Sequence, residues 1–311
     1  MASDELLTGQ EMGQHTVSAR TRDRWTRYLS AYLMILPTFL FIGYFSYYPA
    51  YRALTGGFTR WDGFNEPVFI GLDNFRRAMD DFVFETAIKN NLILAFFDIV
   101  FAIIPAFTVA ALIFHLTRDR ARYLFRSLFV IPIIVPGIVT ILLWRYYYQG
   151  DGLLNTMLEM LGLEHLTRYW IGSPDTALYA LALMGFPWIN AFNMLIFYAG
   201  LQNISTEVME AAELDGASGW RRLFSIEIPL VTSQFKLLLI LAIINAGQNI
   251  VTPLVMTQGG PGYSTYTVSF YMYELAVSYG DFGYSMAIAL MLFIVILVLT
   301  AIGQFLNRER W

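Results

Sequence analysis

Uncharged apolar runs, set off by charged residues, divide this chain into six long segments. They cover about 28–50, 92–114, 127–144, 178–201, 237–256 and 282–306, and only the second holds a charge, Asp98. A helix needs about 20 residues to cross roughly 30 Å of hydrocarbon, so each run predicts one membrane-spanning helix. The runs do not alternate with period two, which excludes barrel strands. The expectation is an all-α membrane protein with six transmembrane helices. The first run is too long for the apolar core of a leader, and Tyr48-Pro49-Ala50-Tyr51-Arg52 is no small-residue cleavage site, so it reads as retained.

Basic residues set the orientation. With the N-terminus inside, the inner segments hold twelve Lys or Arg and the outer segments six, while Arg145 and Lys236 stand at span edges. Arg20, Arg22, Arg24 and Arg27, ahead of the first span, weigh most. The bias predicts that both termini are cytoplasmic. Residues 1–27 then form a polar cytoplasmic tail, 28–306 a single membrane domain and 307–311 a cytoplasmic end.

Composition narrows the classes further. The chain is 57% hydrophobic and 14% charged, against about 45–50% and about 25% in soluble domains. A net charge of −4 gives no basic excess for nucleic acid. Without cysteine there is no disulfide, thiol nucleophile or Cys-based zinc site. His15, His115 and His165 are scattered over the tail and loops, so neither a metal site nor a catalytic residue is expected. No Gly-x4-Gly-Lys-Ser/Thr occurs, so this chain does not cradle ATP in the P-loop manner.

Three polar connections carry structure of their own. The outer segment 51–87 reads as a small helical cap, and 150–175 as a second outer loop. The connection 203–229 is longer than a bundle turn requires. Ser205 or Thr206 can cap a helix that bears Glu207 and Glu210 in its first turns. Gly216 and Gly219 let that helix stop and turn, Trp220 begins a second short helix, and Pro229 closes the unit.

Within that loop Glu210-Ala211-Ala212, three residues, Gly216, nine residues and Ile226-Glu227-Ile228-Pro229 resemble the E-A-A-x3-G-x9-I-x-L-P loop of ATP-binding cassette importer permeases. The single departure is Ile228 for Leu. The resemblance implies a type I importer permease fold, in which this loop couples to a separate ATPase. Glu210, Ala211, Ala212, Gly216, Ile226 and Pro229 are the coupling residues it implies. Phe69-Ile70-Gly71-Leu72-Asp73-Asn74-Phe75, Thr257-Gln258-Gly259-Gly260-Pro261-Gly262 and Gly280-Asp281-Phe282-Gly283-Tyr284 are similar to segments of the maltose-type first permease, in the carbohydrate-uptake branch. The partners implied are a second, distinct permease, two copies of the ATPase and an extracytoplasmic solute-binding protein. ATP and Mg would be held by the ATPase, with no cofactor in this chain. The location implied is the cytoplasmic membrane of a bacterium or archaeon.

Polar residues inside spans are rare and informative. Asn245, Gln248 and Asn249 stand at i, i+3 and i+4 of the fifth span, which would put them on one helix face. Amides both donate and accept, as sugar hydroxyls require, but they also join helices. Asp98 could accept from a polyol or pair with another chain. Asn190 and Asn193, beside Trp188 on the fourth span, complete the candidate substrate path. An anionic solute such as glycerol phosphate would call for Arg or Lys facing that path, and only the span-edge Arg145 and Lys236 are available. An autonomous secondary transporter or channel would carry several intramembrane carboxylates or an internal repeat. The reading adopted is a permease subunit of a carbohydrate importer.

Overall fold

The computed structural model describes residues 28–29 and 31–305. The basic cluster at 20–27 and the end at 307–311, on which the orientation partly rests, lie outside them. The chain divides into two compact units, 1–55 and 56–311. Among the described residues, the first holds one long apolar helix, α1 (Ala31–Gly56, its last residue counted in the second unit), with a widened turn at Gly43–Tyr47.

The second unit opens with a cap. Strands β1 (Thr59–Arg60) and β2 (Val68–Phe69) pair antiparallel, and helix α2 (Asp73–Met79) follows. The expected cap is therefore part ribbon. Asp62 closes the turn between the strands by accepting from the N–H groups of Phe64 and Asn65 at 3.0 and 2.8 Å. Buried Asn74 donates to Gly57 O and Thr59 O at 3.0 and 2.8 Å, tying α2 to the ribbon.

Helix α3 (Phe82–Phe114) is the spine of this unit. It starts ten residues before the expected span because a helix need not end at the hydrocarbon boundary. Its first turns carry the exposed pair Glu85–Lys89, 2.5 Å apart. Ala106 and Ala110 are fully buried on one face, and such small residues allow close helix approach. There α3 packs on α8 and α11 (bounds below) through Phe107, Phe197, Val231 and Leu238. Phe197 stands edge-on to Phe107, with ring centroids 5.3 Å apart.

Three of the six expected spans are broken. Where 127–144 was read as one span, α4 (Asp119–Val130) with its tight extension Ile131–Ile134 meets α5 (Gly137–Tyr147) at 86°. Pro136 forces the residue before it out of helical geometry, and Val135 is extended at ψ 122°. Helix α6 (Leu153–Met160) lies in the 150–175 segment, held by buried Asn155, which accepts from Trp170 Nε1 at 2.7 Å. The expected span 178–201 is likewise two helices, α7 (Pro174–Leu183) and α8 (Ala191–Gln202), with irregular backbone between them. Gly185 and Trp188 there have φ of 93° and 57°, and Pro187 excludes a continuous helix.

The 203–229 loop forms α9 (Thr206–Leu214) and α10 (Gly219–Leu230), the latter widened at Leu223–Glu227. Helix α10 meets α11 (Thr232–Gln248) at 67°. The expected span 237–256 thus begins earlier, with Lys236 inside α11, and it breaks after Gln248 before α12 (Val251–Met256). Pro253 explains that break, since its ring would strike the carbonyl four residues back, at Asn249. Helix α13 (Val268–Tyr273) carries a widened turn, Glu274–Ser278, and α14 (Phe282–Phe305) ends the described chain. Among the described residues, three helices are long and apolar enough to cross a membrane alone, or five if each bent pair is one span.

Candidate substrate cavity and coupling loop

Two of the three broken spans, 178–201 and 237–256, both pack on α3. Where α7 ends, Trp188 Nε1 donates to Leu183 O at 3.0 Å, and where α8 begins, Asn190 Oδ1 accepts from Asn193 N at 3.0 Å. At the other break Asn249 turns out of α11 with ψ 99°, and its Oδ1 accepts from Thr252 N at 3.2 Å. The carbonyls released at the end of α11 are also taken. Ser269 Oγ donates to Gly247 O at 2.6 Å, Thr267 Oγ1 to Asn249 O at 3.2 Å and Asn91 Nδ2 to Ala246 O at 3.5 Å. Non-helical backbone at membrane depth persists only where its groups are satisfied or face a cavity. Both conditions hold here.

A cavity of about 310 Å³ lies between the breaks, lined by Asp98, Phe101, Trp188, Asn190, Asn249 and Thr252 among others. Trp188 and Phe101 stack with ring centroids 4.2 Å apart and planes within 5°. The Asp98 carboxylate makes no hydrogen bond or ion pair with the described residues and faces a cavity that no Arg or Lys lines. Four sequence-predicted residues, Asp98, Trp188, Asn190 and Asn249, thus share one site. The others do not. Asn193 is buried and donates to Ala102 O at 2.8 Å, which joins α8 to α3. Gln248 lines a separate, mainly apolar groove between α11 and α14, and Asn245 is exposed. The shared helix face expected for Asn245, Gln248 and Asn249 does not form, because α11 stops at Gln248. Phe101 and Thr252 went unnoticed in the sequence, having neither charge nor amide to mark them.

The loop builds a second site. Ser205 Oγ caps α9 by accepting from Val208 N at 3.4 Å. Gly216, at φ 70°, ends the helix: its N–H donates to Glu213 O at 3.0 Å and that of Ala217 to Ala212 O at 2.8 Å. A left-handed residue at this point is the common helix stop. Glu210, Ala211, Gly216 and Pro229 are exposed, Ala212 is buried and Ile226 half-buried. Around them Leu214, Trp220 and Phe224 are 89%, 75% and 61% exposed, and the last two rings stack at 6.0 Å. Such a cluster of exposed large apolar side chains beside carboxylates marks an interaction surface.

Glu227, which the sequence reading passed over, is fully buried. Its Oε1 lies 2.8 Å from His115 Nε2 and accepts from Arg222 Nε at 3.0 Å. Burial alone would raise this carboxyl, but the bonds and charge of His115 and Arg222 outweigh it and hold it below the usual carboxylate range. An acidic residue between Ile226 and Ile228 was the available signal.

Comparison with known proteins identifies the family and the fold. Residues 87–310 match the family described as binding-protein-dependent transport system inner membrane component. A sulfoquinovosyl glycerol transport system permease protein of Agrobacterium fabrum is 31% identical, over 92% of this chain and 94% of its own. A trehalose/maltose transport system permease protein of Thermococcus litoralis is 31% identical, over 90% and 94%. A solved bacterial transporter that imports the acidic polysaccharide alginate shares the fold with a TM-score of 0.78 over 93% of this chain and 98% of its own, at 21% identity. The chain belongs to the family of binding-protein-dependent transport system inner membrane components.

Proposed function

We propose that this chain is a permease subunit of an importer that moves a carbohydrate across the cytoplasmic membrane of a bacterium or archaeon. A solute-binding protein delivers the sugar, and a second permease forms the other half of the path. Two copies of a separate ATPase hold ATP and Mg and drive the cycle. Both termini and the 203–229 loop face the cytosol, where the loop docks on the ATPase. Hydrolysis takes place in the ATPase, and this chain supplies the path.

The cavity between the broken helices carries the reading. Asp98 accepts from hydroxyls, the amides of Asn190 and Asn249 donate as well as accept, and the Trp188 face stacks on a sugar ring. At about 310 Å³ it sits at the low end for small-molecule sites, which suits one part of a saccharide with the second permease closing the rest. A carboxylate in a cavity without Arg or Lys disfavours acidic sugars and phosphorylated solutes such as glycerol phosphate. The relative named above for trehalose/maltose supports the carbohydrate class. An autonomous transporter lacks support: the cavity holds one carboxylate and no relay of titratable groups.

The test is uptake into liposomes holding the permease pair and ATPase, with binding protein outside and ATP inside. Neutral oligosaccharide uptake that requires ATP and falls at least tenfold in Asp98→Ala supports the reading. Uptake without the ATPase, or equal uptake in Asp98→Ala, refutes it.

A further inference from the structure

Glu227 is a costly residue at its place. A carboxylate removed from water is destabilising unless paired, and an apolar side chain of similar size is often the more stable choice. Here one oxygen serves two donors, His115 Nε2 and Arg222 Nε, while Oε2 is buried with no partner among the described residues. A packing role accounts for none of this.

The three residues belong to different elements. Arg222 and Glu227 lie on α10, in the loop, and Arg222 also reaches Glu213 Oε1 on α9 at 3.4 Å. His115 is the residue that ends α3. Leu223 and Ile228 of α10 pack on the core that α3 helps to form, but beside the cluster the contact between the two helices is incomplete. A cavity of about 330 Å³ separates them, lined by Phe107, Ala111 and Leu112 on one side and Trp220 and Leu223 on the other. On that side the polar cluster bridges the gap that apolar contact leaves open. Helix α3 then runs without a break from His115 past Asp98 at the cavity. The seventeen residue steps from one to the other span about 25 Å at 1.5 Å per residue.

We propose that the His115–Glu227–Arg222 cluster is the joint through which movement of the 203–229 loop reaches α3 and so the substrate cavity. Glu227 is a positioning residue in it. The inference rests on the coupling role given to the loop above. Coupling between two sites requires an element that both of them bias, and a continuous helix, with Pro105 between the two ends, joined to the loop by charge-assisted bonds meets that requirement. Truncating the joint leaves docking and hydrolysis in place and uncouples them from transport.

The experiment uses the assembled transporter in nanodiscs, with permease pair, ATPase and binding protein, and maltotriose as one of a panel of neutral oligosaccharides. Three quantities are read: ATPase retained with the permease, basal hydrolysis, and the stimulation of hydrolysis by sugar-loaded binding protein. Glu227→Gln and His115→Ala are expected to retain ATPase and basal hydrolysis near wild type and to lose about tenfold in stimulation, the scale of one charge-assisted bond. Glu227→Asp is expected to recover part of it. Because His115 is partly exposed, His115→Ala decides the matter should Glu227→Gln fail to assemble. Wild-type stimulation in His115→Ala or in assembled Glu227→Gln overturns the joint while the coupling role stands. A wild-type complex that retains no ATPase overturns both.

Discussion

Replacing Asp81 tests whether the cap is organised as described. Its Oδ1 accepts from Val83 N and Phe84 N at 2.8 and 3.2 Å, capping α3, and its Oδ2 accepts from the hydroxyls of Tyr271 and Tyr284 at 2.6 and 2.7 Å. One carboxylate thus joins the start of α3 to α13 and α14. The cap is worth about 1 kcal/mol, and each hydroxyl bond to a carboxylate about 1.5 kcal/mol at the weak end of the charged range. Asp81→Ala is therefore expected to cost about 4 kcal/mol. Asp81→Asn keeps a capping oxygen and is expected to cost about 2 kcal/mol, and Tyr271→Phe about 1.5 kcal/mol. Equilibrium unfolding in mixed micelles, followed by tryptophan fluorescence at neutral pH, measures the series. Burial would raise the Asp81 carboxyl, but the two tyrosines and the two N–H groups hold it below the ordinary range. Its contribution is then complete at neutral pH and is lost as pH falls below the unfolded value of about 3.9. Asp81→Asn flattens that acid limb. A loss under 1 kcal/mol in Asp81→Ala, or an unchanged acid limb in Asp81→Asn, refutes the reasoning.

Three further substitutions probe other parts of the chain. Gly283 lies against the ribbon, where an added Cβ would run into Thr59 O and come within 3.0 Å of Trp61 N. Gly283→Ala is expected to cost about 1–3 kcal/mol in the same unfolding measurement, as overpacking against backbone does. Gly216→Ala meets no atom within 4 Å and pays only for its left-handed φ, so a smaller loss of about 1 kcal/mol with ATPase capture retained is expected by pull-down. Trp188→Leu removes the ring stacked on Phe101 and the donor to Leu183 O; sugar uptake is expected to fall several-fold with ATPase capture unchanged.

Much of the fold is legible in hydrophobic patterning, because long apolar runs in lipid leave few options other than helices. The loop at 203–229 is legible for another reason: Ser205, Gly216 and Gly219 signal their backbone roles by residue type alone. The broken spans are harder. Pro136, Pro187 and Pro253 were visible as prolines, but a proline in a span can either kink a helix or end it. The outcome is settled by side chains far away in sequence, such as Thr267 and Ser269 bonding the freed carbonyls of Asn249 and Gly247. The same dependence divided the amides. Asn249 joins the cavity because its helix ends, whereas Gln248, one residue earlier, points to another groove. Glu227 and His115 lie 112 residues apart in sequence, so no local pattern announces their contact.

The central claim is that the 203–229 loop docks this chain on a separate ATPase, and capture from native membranes tests it most directly. Gly216→Pro is the informative variant. Proline cannot adopt φ 70° and lacks the N–H that bonds Glu213 O at 3.0 Å, so the end of α9 loses its geometry while the spans are untouched. Tagged wild-type chain, extracted in mild detergent, is expected to retain an ATP-binding cassette ATPase, and the Gly216→Pro chain, inserted in equal amount, is expected to lose it. A wild-type chain that retains no such ATPase, or a variant that retains as much as wild type, contradicts the account.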